Sequence, residues 1–324
     1  LERALDLVDL AAGAGADAVK LQTWSAEHMV IDRTHVLRTG PWAGRNLAEL
    51  YKQARTPWEW HAPIFERAKE RGIEAFSTVF DLPSLTFLEG LGCPRYKIAS
   101  FEAIDLPLIR AVAGRKKPII ISTGMATLPE IDDAYQTAYS AGARDITLLK
   151  CTSAYPADAK DVNLRTMQHL RGRYDRAICK VGLSDHTRGI AAAVVAASMG
   201  ASMIEKHLTG SRADGGLDAA FSAEPGELKQ LCEEARAAAL APGEIVYGPR
   251  PAEAPQVELR RSLYFAKSLE PGAPITSDAI ISARPARGLP PRYQGRLIAM
   301  YAARAVLRGQ PVTWDDVQEQ RVIA

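Results

Sequence analysis

The residues best suited to chemistry in this chain stand at the ends of short apolar runs. In chain order they are Lys20 with Gln22, then Thr78, Lys97 with Ser100 and Glu102, Ser122, and Ser153 with Tyr155. Two triplets follow, Ser184–Asp185–His186 and Glu205–Lys206–His207. Two lysines surrounded by hydroxyls suit a phosphate and a carboxylate, which need charge and several donors. Lysine stems also line apolar walls with the ammonium snorkelling outward, and that reading stands beside the first. His186 and His207 follow consecutive runs, so neutral imidazoles on neighbouring strands can meet on one side of a metal. A single histidine at such a position is commonly a hydrogen-bonded rim residue. No cysteine or third histidine accompanies the pair, which favours a weakly held octahedral Mn²⁺ or Mg²⁺ over a closed zinc site. Asp218, in the glycine-rich stretch SRADGGLDAAFS, is placed either to move a proton or simply to form a turn.

These side chains need a scaffold that brings strand ends to one rim. Seven runs rich in Val, Ile, Leu and Thr occupy residues 18–23, 74–80, 96–100, 118–123, 146–153, 179–185 and 203–209. They are short and apolar on both faces, as parallel strands covered by helices are. Amphipathic or small-residue helical stretches separate them, including GIAAAVVAASMGA at 189–201. The alternation predicts an α/β fold of the (β/α)₈ TIM-barrel type, in which function gathers at the C-terminal ends of the strands. An open doubly wound sheet is the alternative, but no GxGxxG follows any strand. Seven strands are visible where a barrel has eight. The chain starts on a helix, so the strand unaccounted for is the first.

Residues 24–56 form an excursion between the first two strands, with Trp24, Trp42 and Tyr51 in polar surroundings. Loops this long after a barrel strand are usually functional. The expected organisation is a barrel over 1–240, a Pro/Gly/Ala-rich linker over 241–257, and a small turn-rich domain over 258–324. The 324 residues carry 40 basic and 38 acidic side chains, a balance that gives no reason to expect nucleic acid or a membrane surface as partner. No apolar run reaches the length of a membrane-spanning helix. The four cysteines lack CxxC spacing and lie in apolar stretches, which predicts reduced thiols and a cytoplasmic location.

The segments GADAVKLQT, FSTVFD, YKIASFE, IISTGMA, LLKCTSAYP, VGLSDHT and IEKHLT, followed by RRSL and RPARG, resemble the sialic acid synthase family in content and order. The resemblance spans nearly the whole chain. It implies a TIM barrel joined to a small antifreeze-like (SAF) domain, in homodimers where that domain caps the partner's active site. The implied reaction condenses phosphoenolpyruvate with an acylamino sugar at a divalent metal. Carried over by position, His186 and His207 match the metal ligands. Lys20, Thr78, Lys97, Ser100, Ser122 and Ser184 match residues that hold phosphoenolpyruvate. Gln22, Phe80, Glu102, Ser153, Tyr155 and Asp218 match residues around the sugar and metal, with Glu102, Tyr155 and Asp218 given catalytic roles. Arg284 matches an arginine of the small domain that reaches the sugar's N-acyl group. Ser153 stands where N-acetylneuraminate synthases commonly have asparagine.

Within the family, TPWEWH (56–61), GGLDAAFS (215–222), RRSLYF (260–265) and GLPPRY (288–293) resemble the pseudaminic acid synthases. That subgroup uses 2,4-diacetamido-2,4,6-trideoxy-L-altrose. N-acetylneuraminate or legionaminate synthesis is the alternative. A keto-acid phosphate synthase of the aromatic pathway is a further one, which the small domain and RPARG argue against. The family's first strand, ending in a catalytic Glu before an Asn-His-Asn-Gly-like turn, would precede Leu1. The expectation drawn from its absence is a truncated chain with two unpaired sheet edges, active only in part or reduced to binding and dimerisation.

Overall fold

The apolar runs form strands because each can be buried from both sides. In the computed structural model, which describes residues 1–319, every residue of Ile119–Ser122 and of Ile146–Cys151 is buried. The first unit contains seven strands: β1 (Ala18–Thr23), β2 (Glu74–Val79), β3 (Tyr96–Ile98), β4 (Ile119–Ser122), β5 (Ile146–Cys151), β6 (Cys179–Asp185) and β7 (Ile204–Lys206). They make one parallel sheet in the order of the sequence, with β1 and β7 at its edges. Among the described residues no strand lies between those edges. Helices follow the strands and cover the outer face, so that Ile98, Ile109, Ile121, Leu148 and Leu183 share one buried cluster. Helix Glu2–Gly13 packs against both His61–Glu70 and Pro225–Leu240, and the helical layer therefore continues across the gap between β7 and β1.

Local signals set where the helices begin. Asp81 caps Leu82–Gly90 by accepting from the Ser84 amide at 2.7 Å, and its other oxygen accepts from the amide and hydroxyl of Ser25 at 2.8 and 2.6 Å. One carboxylate thus starts a helix after β2 and pins the chain leaving β1. Thr127 and Glu130 form a capping box for Leu128–Ser140. The excursion after β1 holds two helical segments, Ala26–Met29 and Leu47–Ala54, and folds onto itself through an antiparallel bridge between Val36 and Asn46. Trp24 anchors it: the ring is 3% exposed, stands edge-on to Phe80 and Tyr51, and donates to the Tyr51 carbonyl at 3.1 Å.

The chain divides into two units at Gly243/Glu244. Residues 241–257, expected as a linker, contain the short helix Ala254–Val257. The second unit has antiparallel pairs β8 (Ser262–Phe265) with β9 (Ile280–Ala283), and β10 (Tyr301–Ala302) with β11 (Val317–Gln318). Its core is its own, built on Leu263, Phe265, Ile280, Leu297 and Val312. The two motifs expected here are one structure. Ser262 of RRSL donates to the Pro285 carbonyl at 2.9 Å and accepts from the amides of Arg287 and Gly288, while Tyr264 donates to the same carbonyl at 2.6 Å. Gly288 is required, since a Cβ there would lie 2.3 Å from the Leu263 carbonyl oxygen. The loop so fixed leaves Arg284 exposed. No helix among the described residues is long and apolar enough to cross a membrane.

Candidate active site

Alternation along β-strands sends every second side chain to the inner face. The register sets Gln22 beside Thr78, Thr78 beside Lys97, and Ser184 beside Glu205. The inner face toward the strand C-termini is therefore lined by the polar residues that end the runs. Lys97 donates to the Ser122 hydroxyl at 2.7 Å, and Lys20 to the Thr78 hydroxyl at 3.3 Å. Both ammonium groups also face Glu205 Oε1, at 3.5 Å from Lys97 and 3.8 Å from Lys20, and Ser184 donates to that oxygen at 3.2 Å. Burial alone would raise the Glu205 carboxyl, but the two lysines hold it at about 2. Burial lowers the Lys97 ammonium, with Glu205 opposing. Two cations, one carboxylate and three hydroxyls thus meet at one point.

The histidines stand beside this cluster, with ring centroids 5.3 Å apart. His186 Nδ1 lies 3.1 Å from the Thr152 carbonyl, which only a donor satisfies, so its Nε2 carries the lone pair. Burial, with His186 and Lys20 nearby, pushes His207 down to about 3, and burial also lowers His186. Both imidazoles are neutral at ordinary pH and fit a divalent ion as donors. Among the described residues no three His, Cys, Asp or Glu side chains group around one point, so such an ion would take its remaining ligands from water or substrate oxygens. Asp218 lies 3.6 Å from His207 Nδ1, and burial raises its carboxyl.

Aromatic rings wall the site. Tyr155 packs on His186 with centroids 4.5 Å apart, and Phe221 packs on both Tyr155 and His207. Trp42, from the excursion, lies against Tyr155 and donates to the Leu217 carbonyl at 3.2 Å. Ser100 and Ser153 share a hydrogen bond of 2.8 Å. Gly124 permits that approach: its φ is +47°, and a Cβ would fall 2.3 Å from Ser100 Cβ. Glu102 follows β3 on a single 3₁₀ turn. Its Oε2 is buried without a partner among the described residues, and burial pushes the carboxyl up to about 7, Lys97 opposing. That is a carboxyl able to hold or release a proton near neutrality.

Of the residues singled out above, Lys20, Thr78, Lys97, Ser122 and Ser184 form the cationic cluster, and His186, His207, Tyr155 and Asp218 form the imidazole side. Ser100 and Ser153 pair with each other, and Glu102 stands near Lys97. Gln22 shares the face of Lys20 and Thr78 with no side-chain hydrogen bond among the described residues, and Phe80 packs behind on Trp24. Arg284 belongs to the second unit. Glu205, which no sequence argument gave a role, is the hub of the lysines. The signal was its position two residues before His207, hence on the same face of β7. Phe221 and Trp42 also went unassigned.

A parallel sheet of barrel type, with cations, hydroxyls and neutral imidazoles gathered at its strand C-termini, defines an α/β enzyme that acts on a small anionic molecule. The chain belongs to the NeuB family, whose model matches residues 7–247, and a SAF domain matches residues 260–318. It is 38% identical to the pseudaminic acid synthase of Helicobacter pylori over 310 residues, covering 94% of this chain and 90% of that one. Identity to the N,N'-diacetyllegionaminic acid synthase of Legionella pneumophila is 35% over 326 residues, covering 98% and 91%. Among solved structures, the N-acetylneuraminic acid synthetase of Leptospira borgpetersenii in complex with citrate is similar at a TM-score of 0.70 and 31% identity, covering 79% of this chain and 85% of that one.

Proposed function

We propose that this enzyme condenses phosphoenolpyruvate with an acylamino sugar, 2,4-diacetamido-2,4,6-trideoxy-L-altrose, to give pseudaminic acid and phosphate in the cytoplasm. The observation that carries the reading is the convergence of Lys20, Lys97 and Ser184 on one carboxylate oxygen of Glu205, beside two neutral imidazoles. Two lysines against one glutamate leave the cluster one positive charge in excess, suited to a ligand that brings a phosphate and a carboxylate. The bond formed joins C3 of phosphoenolpyruvate to the sugar's aldehyde carbon. Water then adds to C2, and phosphate leaves as its C–O bond breaks.

Lys20 and Lys97, with the hydroxyls of Thr78, Ser122 and Ser184, would bind and orient the enol donor. His186 and His207 would hold a Mn²⁺ or Mg²⁺ ion, which when bound supplies Lewis-acid polarisation of the aldehyde oxygen. Glu102 would hold and release a proton near neutrality, and Asp218 with Tyr155 would face the sugar. The wall of Trp42, Tyr155 and Phe221 limits water around the reacting carbons.

The sugar assignment is supported by the 38% identity to the pseudaminic acid synthase of Helicobacter pylori and by the resemblance of TPWEWH and GGLDAAFS to that subgroup, the second of which brings Phe221 against His207. A legionaminate-type sugar is the second reading, favoured by the 35% identity to such a synthase. We also place Arg284 at the sugar's N-acyl group in the partner protomer of a domain-swapped homodimer. Phe101, Ile104 and Met125, 53%, 61% and 62% exposed in the loops after β3 and β4, give this rim an apolar face of the kind that association covers. The test incubates the chain with Mn²⁺, phosphoenolpyruvate and a panel of acylamino sugars, following phosphate and the mass of any nonulosonic acid. Product from the diacetamido-trideoxy-altrose alone supports the full assignment. Product from another sugar moves it to that subgroup, and no product from any sugar by folded protein defeats it.

A further inference from the structure

The strand ends that carry the two histidines are tied together on the face of the sheet that points away from them. β6 and β7 run in register, with Ser184 against Glu205 and Asp185 against Lys206. Alternation sends Ser184, His186, Glu205 and His207 inward and turns Asp185 and Lys206 outward. There Lys206 donates to Asp185 Oδ2 at 2.7 Å and also to the Thr187 carbonyl. Asp185 in turn accepts from the Thr187 amide at 3.0 Å and from its hydroxyl at 3.2 Å. The residues on either side of His186 are thus both bound to the residue that precedes His207. The pair is sealed from water, the Lys206 and Asp185 side chains being 3% and 1% exposed.

Burying two charges costs desolvation that their attraction barely offsets, so such a pair adds little net stability. What it adds is geometry. It fixes the turn after β6 through Thr187 and sets that turn against β7, and these determine where the imidazoles stand. Partners behind metal ligands act this way on affinity. We propose that Asp185 and Lys206, acting through Thr187, are a positioning pair that sets the spacing of His186 and His207 for a divalent ion. The inference rests on the reading of those histidines as metal ligands.

The test titrates Mn²⁺ into the full chain and follows the free ion by electron paramagnetic resonance, for wild type, Lys206→Met, Asp185→Asn and His186→Ala. Wild type should bind and His186→Ala should not. Lys206→Met and Asp185→Asn should each weaken binding about tenfold or more, while thermal unfolding by circular dichroism stays cooperative. The double variant should bind no more weakly than the worse single one, because both changes break one link. Asp185→Asn keeps an oxygen for the Thr187 amide, so it remains informative if Lys206→Met does not fold. Binding within twofold of wild type in every folded variant of the pair overturns the proposal. Wild type that binds no Mn²⁺, or His186→Ala that binds as wild type does, overturns the ligand reading itself, a distinguishable failure.

Discussion

Lys97 is the most enclosed of the site's cations, and its ammonium is divided between the Ser122 hydroxyl and Glu205. Methionine at this position keeps most of the volume and removes the charge. Lys97→Met should lower kcat/KM for phosphoenolpyruvate by about 100- to 1000-fold, the scale for losing one buried electrostatic contact to a reacting group, read by steady-state kinetics with the donor varied. Glu102 makes a pH prediction. Its carboxyl is raised to about 7 by burial, so the fold favours the protonated form. Stability from this group is complete below the ordinary carboxylate pKa and is lost as pH rises through about 7. Glu102→Gln stays neutral throughout, and its melting temperature should therefore gain on wild type between about pH 4.5 and 7. If the two thermal profiles run parallel across that range, Glu102 does not titrate there. At this scale the gathering of lysines, hydroxyls and histidines was legible, because strand alternation and register bring polar residues of neighbouring runs to one face. The lysines come from within β1 and β3, and the histidines from just beyond β6 and β7. Glu205 was harder to assign, since an acid beside an expected anion site looks misplaced until both lysines are seen to share it. The Trp42–Leu217 contact joins residues 175 apart, and nothing local signals it.

Elements position these side chains through a few junctions. Asp81 is one, serving as helix cap and as anchor for Ser25. Asp81→Ala should cost about 1–2 kcal/mol for the lost cap, measured by denaturant unfolding. It should also speed limited proteolysis within residues 24–56, because the excursion loses its first tether. Gly124 is another, where the turn after β4 passes Ser100 and Ser153. Gly124→Ala should lower kcat/KM more than tenfold and lower the melting temperature as well, since the Cβ meets Ser100 Cβ at 2.3 Å and alanine adopts a φ of +47° only with strain. The seven strands were readable because burial on both faces leaves an unmixed apolar run, bounded by turns. The internal order of the excursion was not, since it depends on Trp24 meeting Phe80 and Tyr51 across the chain. Likewise the sequence placed RRSL and RPARG in one domain, but that Ser262 builds the RPARG loop is visible only in three dimensions.

At the scale of the whole molecule, the chain carries one set of chemical groups in each of two separately cored units. The cationic cluster belongs to the first, and Arg284 is presented, exposed, by the second. In a domain-swapped homodimer each site takes its arginine from the partner protomer, and that makes a prediction which no monomer meets. Lys97→Met and Arg284→Ala, each nearly inactive alone, should restore one another when unfolded together and refolded at equal concentration. Random pairing makes about half the dimers mixed. Each mixed dimer has one site with both lysine and arginine intact, so the mixture should recover about a quarter of wild-type activity. Refolding the two variants separately and then combining them should recover less, to the extent that protomers exchange slowly. Activity no higher than the sum of the parent variants, in a mixture shown by mass to contain mixed dimers, would place Arg284 in the site of its own protomer or outside the site altogether.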